Sequence, residues 1–307
     1  MRLASRLLRA VVSLWLIVTF VFLALRLTGD PIVATLNPDD MTRDMMESYR
    51  KLWGFEGTVG EQYMVYVTNV LRGNFGKSIL NGRDAFEVVL ERLPATLQLI
   101  GSAALVMVLI GVPVGTLAAL KAGSKWDAAI MSFSTLGFAI PNFFFGLLLI
   151  LVFSVTLHWL PTGGTGTIWH LLMPVVTIGV AKAAVFTRFV RSAMLDALKL
   201  QCVTSAKARG LSGARVLIRH VFPNALVPLA TILPLLVGGM ISAAAVVEAV
   251  FAWPGIGRLI VESVAQRNLA IVQVIIMLVA AVMIVTNLLV DLIYSWLDPR
   301  AAAAAAN

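Results

Sequence analysis

The chain is predicted to be an all-α integral membrane protein with six transmembrane helices and both termini in the cytoplasm. Three observations carry that expectation. Of the 307 residues, 59% are hydrophobic and 13% charged, with a mean hydropathy of +0.91, whereas soluble domains carry about 25% charged residues. Apolar runs recur at about the twenty residues that a bilayer core requires. The basic residues behind the net charge of +8 gather in short stretches beside those runs, where positive charge sets orientation. That placement, with no aromatic platform beside it, argues against nucleic acid as a partner.

The spans are drawn at about 9–27, 96–119, 129–156, 170–190, 228–248 and 271–295. Each must be helical, since a lone span in hydrocarbon has no other way to pair its backbone N–H and C=O groups. Arg2, Arg6 and Arg9 precede the apolar run from Ala10 to Leu25, a pattern shared with signal peptides. No small-x-small cleavage site follows, so this run is read as an uncleaved span entered from the cytoplasm. Six crossings return the C-terminus inside. On that count the segment with Arg188, Arg191, Lys199, Lys207, Arg209, Arg215 and Arg219 against Asp196 alone is cytoplasmic. So is the short 120–127 loop with Lys121 and Lys125. Gly111, Pro113, Gly115, Pro174, Gly238 and Gly239 within the spans allow close packing and kinks. Pro141 and Pro234 are candidates for flexing during gating as well.

Residues 29–95 form an extracytoplasmic insertion after the N-terminal segment and first span (1–28). Its acidic residues outnumber its basic ones, which long translocated loops tolerate. It is no mere linker. Met41 to Trp53 has helical spacing, with Asp39 or Thr42 as caps. Glu61 to Leu71 reads as an amphipathic helix with Tyr63, Tyr66, Val67 and Val70 on one side. Gly73, Gly76 and Gly82 mark turns before a third helix at Phe86 to Leu93. The five-span core occupies 96–300, and the six alanines and Asn307 of 301–307 stay outside the fold.

Most polar connectors in a membrane protein are short, but the loop at 192–224 is long enough to fold. A helix from about Met194 to Arg209 is stopped by Gly210, which accepts a left-handed backbone at no steric cost. Ser212 can cap the N–H groups of a second helix, which runs to Phe222 and breaks at Pro223. Arg215 and Arg219 are four apart and share a face, with Val216, Leu217 and Val221 opposite. Ala206, Ala208 and Gly210 leave one surface almost bare, so a partner protein can approach the backbone. A loop lying on anionic headgroups would also want Lys and Arg, but not this stop-start pattern of small residues.

Thr204-Ser205-Ala206-x3-Gly210-x9-His220-x-Phe222-Pro223 resembles the Glu-Ala-Ala-x3-Gly-x9-Ile-x-Leu-Pro loop of ABC importer permeases. Ser205-Ala206-Lys207-Ala208-Arg209-Gly210-Leu211 is similar to the form found in the dipeptide/oligopeptide/nickel branch. Other motifs follow in order: Gly29-Asp30-Pro31, Gly73-Asn74-Phe75-Gly76-Lys77-Ser78, Arg92-Leu93-Pro94-Ala95-Thr96-Leu97 and Ile140-Pro141-Asn142-Phe143. After the loop come Arg219-His220-x3-Asn224-Ala225-Leu226, Glu248-x2-Phe251-x2-Pro254-Gly255-x-Gly257 and Leu297-Asp298-Pro299-Arg300. The resemblance implies a permease subunit in the bacterial inner membrane, importing peptides or similar small polar solutes. It implies a second, homologous permease subunit, two ATPase subunits holding ATP and Mg, and an extracytoplasmic solute-binding protein. This chain would bind no cofactor itself. Thr204, Ser205, Ala206, Lys207, Ala208, Arg209, Gly210 and Leu211 would form the coupling helix seated in an ATPase cleft. Ala206 and Gly210 would face that cleft, Lys207 and Arg209 would flank it, and Arg215, Arg219 and Pro223 would support it. Thr204 stands where the family has Glu, so docking would rest on shape and not on an acidic side chain.

Few polar residues remain inside the spans. A carboxylate at mid-bilayer costs about 2.5–3.5 kcal/mol on insertion scales, so Glu248 should face protein or the interface. By the family motif it holds the Phe251–Gly257 turn. Lys182 in the fourth span has a stem long enough to snorkel; facing the pathway instead, it would meet a substrate carboxylate. Pro141, Lys182 and Glu248 are therefore the pathway or outer-gate candidates. His158, His170 and His220 lack metal-ligand spacing, and Cys202 is the only cysteine, so no internal disulfide exists. No catalytic motif or P-loop is present; if ATP drives transport, another polypeptide binds it. The alternative is a self-sufficient secondary transporter or channel, which would need coupling residues in the spans and internal pseudo-symmetry.

Overall fold

The computed structural model describes residues 2–27, 57–78 and 81–297. The expected helix at Met41–Trp53, the Gly29-Asp30-Pro31 motif and Asp298-Pro299-Arg300 lie outside them. Among the described residues the chain is helical, with one isolated antiparallel bridge between Lys77 and Asp84. It divides into two compact units, one of residues 1–95 and 254–285, the other of 96–253 and 286–307.

In the first unit, α1 (Arg2–Leu27) meets α2 (Val59–Leu71). A capping box starts α2: the Thr58 hydroxyl accepts from the Glu61 N–H, and Glu61 Oε2 accepts from the Thr58 N–H at 2.7 Å. Phe22 packs against Tyr63 and Tyr66 with ring centroids 5.2 and 5.3 Å away. Thr19 spends its one proton on the Trp15 carbonyl, so the Tyr63 hydroxyl donates to Thr19 at 2.7 Å. The face read from the sequence, Tyr63, Tyr66, Val67 and Val70, is the partly buried one.

The short helix expected at Phe86–Leu93 is not separate. It is the first part of α3 (Ala85–Leu120), one helix of 36 residues that runs through Pro94. An interior proline costs about 3 kcal/mol, while each fully buried Val, Ile or Leu returns about 1.5–3 kcal/mol. Val88 and Val89 pack with Ile256 and Leu259 of α10 (Ile256–Ala265) and with Ile271 and Ile275 of α11 (Leu269–Leu297). Burial on that scale outweighs the proline.

In the second unit, α6 (Ile168–Leu198) packs against α4 (Lys125–Ala139), α5 (Asn142–Leu149) and α9 (Phe222–Val250). It meets α3 at glycines. A Cβ on Gly115 would fall 2.7 Å from the Thr187 carbonyl oxygen, and one on Gly179 would fall 2.8 Å from Val106. Only a hydrogen fits, so the backbones approach closely. The order of these contacts, Gly179 with Val106 and Gly115 with Val190, makes α3 and α6 run in the same direction.

The predicted span at 129–156 is bent. α4 and the helix from Asn142 to Thr156 meet at 97° across Ile140 and Pro141. A residue before proline is pushed out of the helical region, and Ile140 is extended with ψ 123. The last seven residues of the bent pair, Ile150–Thr156, widen into a π turn. Contacts still climb α6 in order: Asp127 with Arg191, Gly137 with Ala184, Gly146 with Thr177, Ser154 with Met173. Four described helices are long and apolar enough to cross a membrane, and the bent pair makes a fifth if it is one crossing. Within its described part, α1 offers a shorter apolar stretch, Val11–Ala24.

Candidate coupling site and pathway residues

The segment expected to form the coupling helix departs from expectation at its start. α6 ends at Leu198, Leu200 turns extended with ψ 143, and a separate helix follows, α7 (Gln201–Ala208). The single helix expected over Met194–Arg209 is therefore two. No glycine or proline marks the break. The Lys199 and Leu200 N–H groups bond back to the Asp196 and Ala197 carbonyls at 3.2 Å, a tightened last turn. The turn leaves Val203 and Ala206 fully buried on one side of α7, which packs against the segment that follows it.

The stop at Gly210 is as read. Arg209 caps α7 and Gly210 has φ +76. The Gly210 N–H bonds the Lys207 carbonyl at 2.9 Å and the Leu211 N–H bonds the Ala206 carbonyl at 3.3 Å, a Schellman motif that satisfies the free carbonyls. A β-carbon at Gly210 would meet nothing within 4 Å, so the position is bare as well as left-handed. Thr204, Ser205, Lys207, Ala208 and Arg209 are exposed and Leu211 is partly buried. Ala206 is the correction: expected to face a partner, it is fully buried and faces its own chain.

The next turn holds two further differences. Ser212 stands at the N-cap of α8 (Gly213–Val216), but its side chain caps nothing. The helix does not break at Pro223. It passes through a π turn, Leu217–Val221, into α9, with Pro223 in the first turn of α9. Proline lacks an N–H and its ring clashes with the carbonyl four residues back. The wider turn, in which the Phe222 N–H bonds the Leu217 carbonyl, relieves that clash. Arg215 and Arg219 are exposed, with Val216 and Val221 buried opposite them. Among the described residues Lys207, Arg209, Arg215 and Arg219 form no ion pair; Arg209 Nε donates to the Ser205 carbonyl at 3.3 Å. Like charges this close repel, a cost that water or an acidic surface offsets.

One ion pair escaped the sequence reading. Arg191, ten residues before α7, grips Asp127 through two parallel bonds of 2.6 and 2.7 Å. The Gly123 N–H adds a third to the same carboxylate at 2.9 Å. Ser124-x-x-Asp127 is legible as a helix start, but a partner 64 residues away is not.

The pathway candidates are scattered. Pro141 is exposed at the bend. Glu248 is fully buried, accepts from the Thr96 hydroxyl at 2.7 Å and so ties α3 to the end of α9. It lines no open path in this conformation. It begins a tightly held turn: the Trp253 N–H bonds the Glu248 carbonyl at 2.8 Å, and the Gly164 N–H bonds the buried Phe251 at its carbonyl, also at 2.8 Å. Lys182 is half-buried, with Nζ 3.5 Å from where a Cβ on Gly239 would lie. A cavity of about 580 Å³ opens between α6 and α9, lined by Phe189, Ser192, Asp196, Asn224, Val227 and Thr231 among others.

Residues 111–303 match the family described as binding-protein-dependent transport system inner membrane component. The oligopeptide transport system permease protein AppB of Bacillus subtilis (strain 168) is 37% identical over 89% of each chain. The di/tripeptide permease protein DppB of Pseudomonas aeruginosa is 34% identical over 92% of this chain and 93% of its own. The glutathione permease protein GsiC of Escherichia coli (strain K12) is 34% identical over 96% of both. Among solved structures, an inward-facing chain of the MetNI methionine ABC transporter superposes with a TM-score of 0.58 at 18% identity, over 69% of this chain and 96% of that one. At that identity the likeness concerns the fold alone. A family match across most of the chain and relatives aligned nearly end to end converge on one assignment: the chain belongs to the inner-membrane permease subunits of binding-protein-dependent ABC importers.

Proposed function

We propose that this chain is one membrane half of an ATP-driven importer for peptides or similar small polar solutes. α7 is its coupling helix, docking into a cleft of a separate ATPase subunit that holds ATP and Mg. The observation that carries this reading is the exposed side of α7, which joins a bare left-handed stop at Gly210 to basic residues that form no ion pair among the described residues. With Ala206 buried, the docking surface falls on Thr204, Ser205, Lys207, Ala208 and Gly210. Arg215 and Arg219 extend it, and the π turn before Pro223 carries its motion into α9. A homologous permease subunit completes the pathway, and an extracytoplasmic binding protein delivers the solute. Family membership decides against a self-sufficient channel. The solute class follows from relatives named for oligopeptides, di/tripeptides and glutathione, which share peptide chemistry.

Six crossings with both termini inside fit the helix directions. The bent pair meets α6 from Arg191 to Met173, about 27 Å of helix at 1.5 Å per residue, close to the thickness of the hydrocarbon core. That favours one bent crossing over a re-entrant loop. α3 and α6 run in the same direction, as two spans separated by one crossing must.

The test is Ala208→Trp. Ala208 is exposed, so a large ring there leaves the chain's own packing intact. Expected are normal membrane insertion, loss of the co-purifying ATPase and loss of solute uptake. Wild-type uptake by this variant would remove α7 as the docking element.

A further inference from the structure

Lys182 stands near the midpoint of α6, about 20 Å from either end at 1.5 Å per residue. Among the described residues no carboxylate or hydrogen-bond acceptor meets its ammonium. An unpaired cation turned to hydrocarbon at this depth is among the costliest placements in a membrane, so such residues face protein or a water-filled path. Its Nζ lies against Gly239, which leaves the wall of α9 there without a side chain.

The same two helices enclose the cavity. Its lining runs from Leu200, just past the end of α6, back along α6 to Phe189 and along α9 from Asn224 forward to Ile232. With Lys182 against Gly239, that order makes α6 and α9 antiparallel. Lys182 and Gly239 lie seven residues beyond Phe189 and Ile232, on the same helix faces and two turns, or about 10 Å, farther along. The near stretch is lined by Ser192, Asn224 and Thr231, with Asp196 engaged by Lys199 at 3.7 Å. Farther along, one ammonium stands against the bare backbone of Gly239.

We propose that the groove between α6 and α9 is part of the translocation path and that Lys182 is its carboxylate-reading residue. The ligand class is a small solute with a free carboxylate, such as the C-terminus of a short peptide. An ammonium without its own counter-ion attracts such a group by a charge-assisted hydrogen bond and repels a solute that is only cationic. This rests on the reading of the chain as half of a peptide importer, and two arms of one experiment separate the two claims.

The first arm needs no solute. Cys202 is the chain's only cysteine, so Lys182→Cys in a Cys202→Ser background is a unique thiol. In the assembled transporter it should react with a charged, membrane-impermeant methanethiosulfonate in at least one nucleotide state. Ile178→Cys, at a fully buried position on the same helix, should not. A Lys182→Cys thiol that is inert in every state overturns the proposal.

The second arm measures uptake of trialanine and of trialanine amide into vesicles carrying the complete complex. Lys182→Met should lower trialanine uptake roughly tenfold or more, the scale of a lost charge-assisted hydrogen bond. Lys182→Arg should restore most of it. Amide uptake and ATP hydrolysis stimulated by the binding protein should stay within about twofold of wild type, which a merely structural defect would not allow. Trialanine uptake unchanged in Lys182→Met overturns the carboxylate role while leaving the importer reading intact. Wild-type vesicles that import neither probe overturn the importer reading and this proposal with it.

Discussion

The ends of α7 and α9 are built on the same hydrogen bonds and used in opposite ways. At α7, Gly210 occupies the left-handed position, exposed and with nothing nearby. At α9, that position belongs to Ala252 at φ +50, with the Trp253 N–H bonding the Glu248 carbonyl where Leu211 bonds Ala206. A left-handed non-glycine residue costs roughly 1–2 kcal/mol. The α9 turn tolerates that cost because Glu248, Phe251 and Trp253 are all buried around it. In the α7 turn only Ala206 is buried, with Arg209 exposed and Leu211 half-buried, and a glycine holds its shape without strain. Packing maintains the one turn and backbone preference the other, which leaves the surface of α7 open to a partner.

Substitutions can break that contrast, and the largest effect belongs to the buried turn. Phe251 is 1% exposed, and Phe251→Ala should cost about 3–5 kcal/mol of stability, read as a large fall in the thermal midpoint of the purified complex. A smaller loss is expected from Arg191→Ala, which strands the Asp127 carboxylate at 5% exposure. Breaking a fully buried pair costs about 3–5 kcal/mol. Because Arg191 is 28% exposed, solvent screening keeps the expected loss well below that of a fully buried pair. Asp127→Asn, which keeps hydrogen-bonding capacity, should recover part of it.

The two left-handed residues then sharpen the comparison directly. Gly210→Ala should destabilise by about 1 kcal/mol, seen as faster amide exchange at the end of α7. Ala252→Gly should do the reverse, gaining about 0.5 kcal/mol once the added freedom of the unfolded chain is set against the relieved strain. Equal effects of both changes would mean that burial does not hold the α9 turn. The smallest expected effect is at the exposed cap of α2. Two hydrogen bonds from Thr58, through its N–H and its hydroxyl, lower the Glu61 pKa below the ordinary carboxylate range. A depressed carboxylate contributes stability above its unfolded pKa and loses it as pH falls through the folded value. Protection of the Thr58 amide against hydrogen exchange should therefore weaken on acidification, and Glu61→Gln should weaken it at neutral pH.

Much of this was legible along the chain, for reasons that differ by element. The face of α2, the stop at Gly210 and the opposition of Arg215 and Arg219 to Val216 and Val221 follow from helical period and glycine's backbone freedom, which are local. The bend at Ile140–Pro141 was visible as a proline but not as an angle of 97°. Proline fixes the preceding backbone, while neighbouring helices choose the direction. The break at Lys199–Leu200 carries no breaking residue and could not be read. The failure at Ala206 is instructive. A small residue on a helix suits close approach by any backbone, and the sequence does not say whose.

Membrane residence, helical structure, the positions of most spans and the basic, stop-punctuated segment at 201–223 were set by the sequence alone. Hydrocarbon demands long apolar helices, and left-handed turns demand glycine where nothing else supports them. Tertiary structure alone decided the pairing of Asp127 with Arg191, the burial of Ala206 and Glu248, and the seating of Lys182 against Gly239 beyond the groove of α6 and α9. Each depends on residues outside its own helix, and side-chain chemistry names what a residue can bind without fixing which neighbour the fold will bring to it.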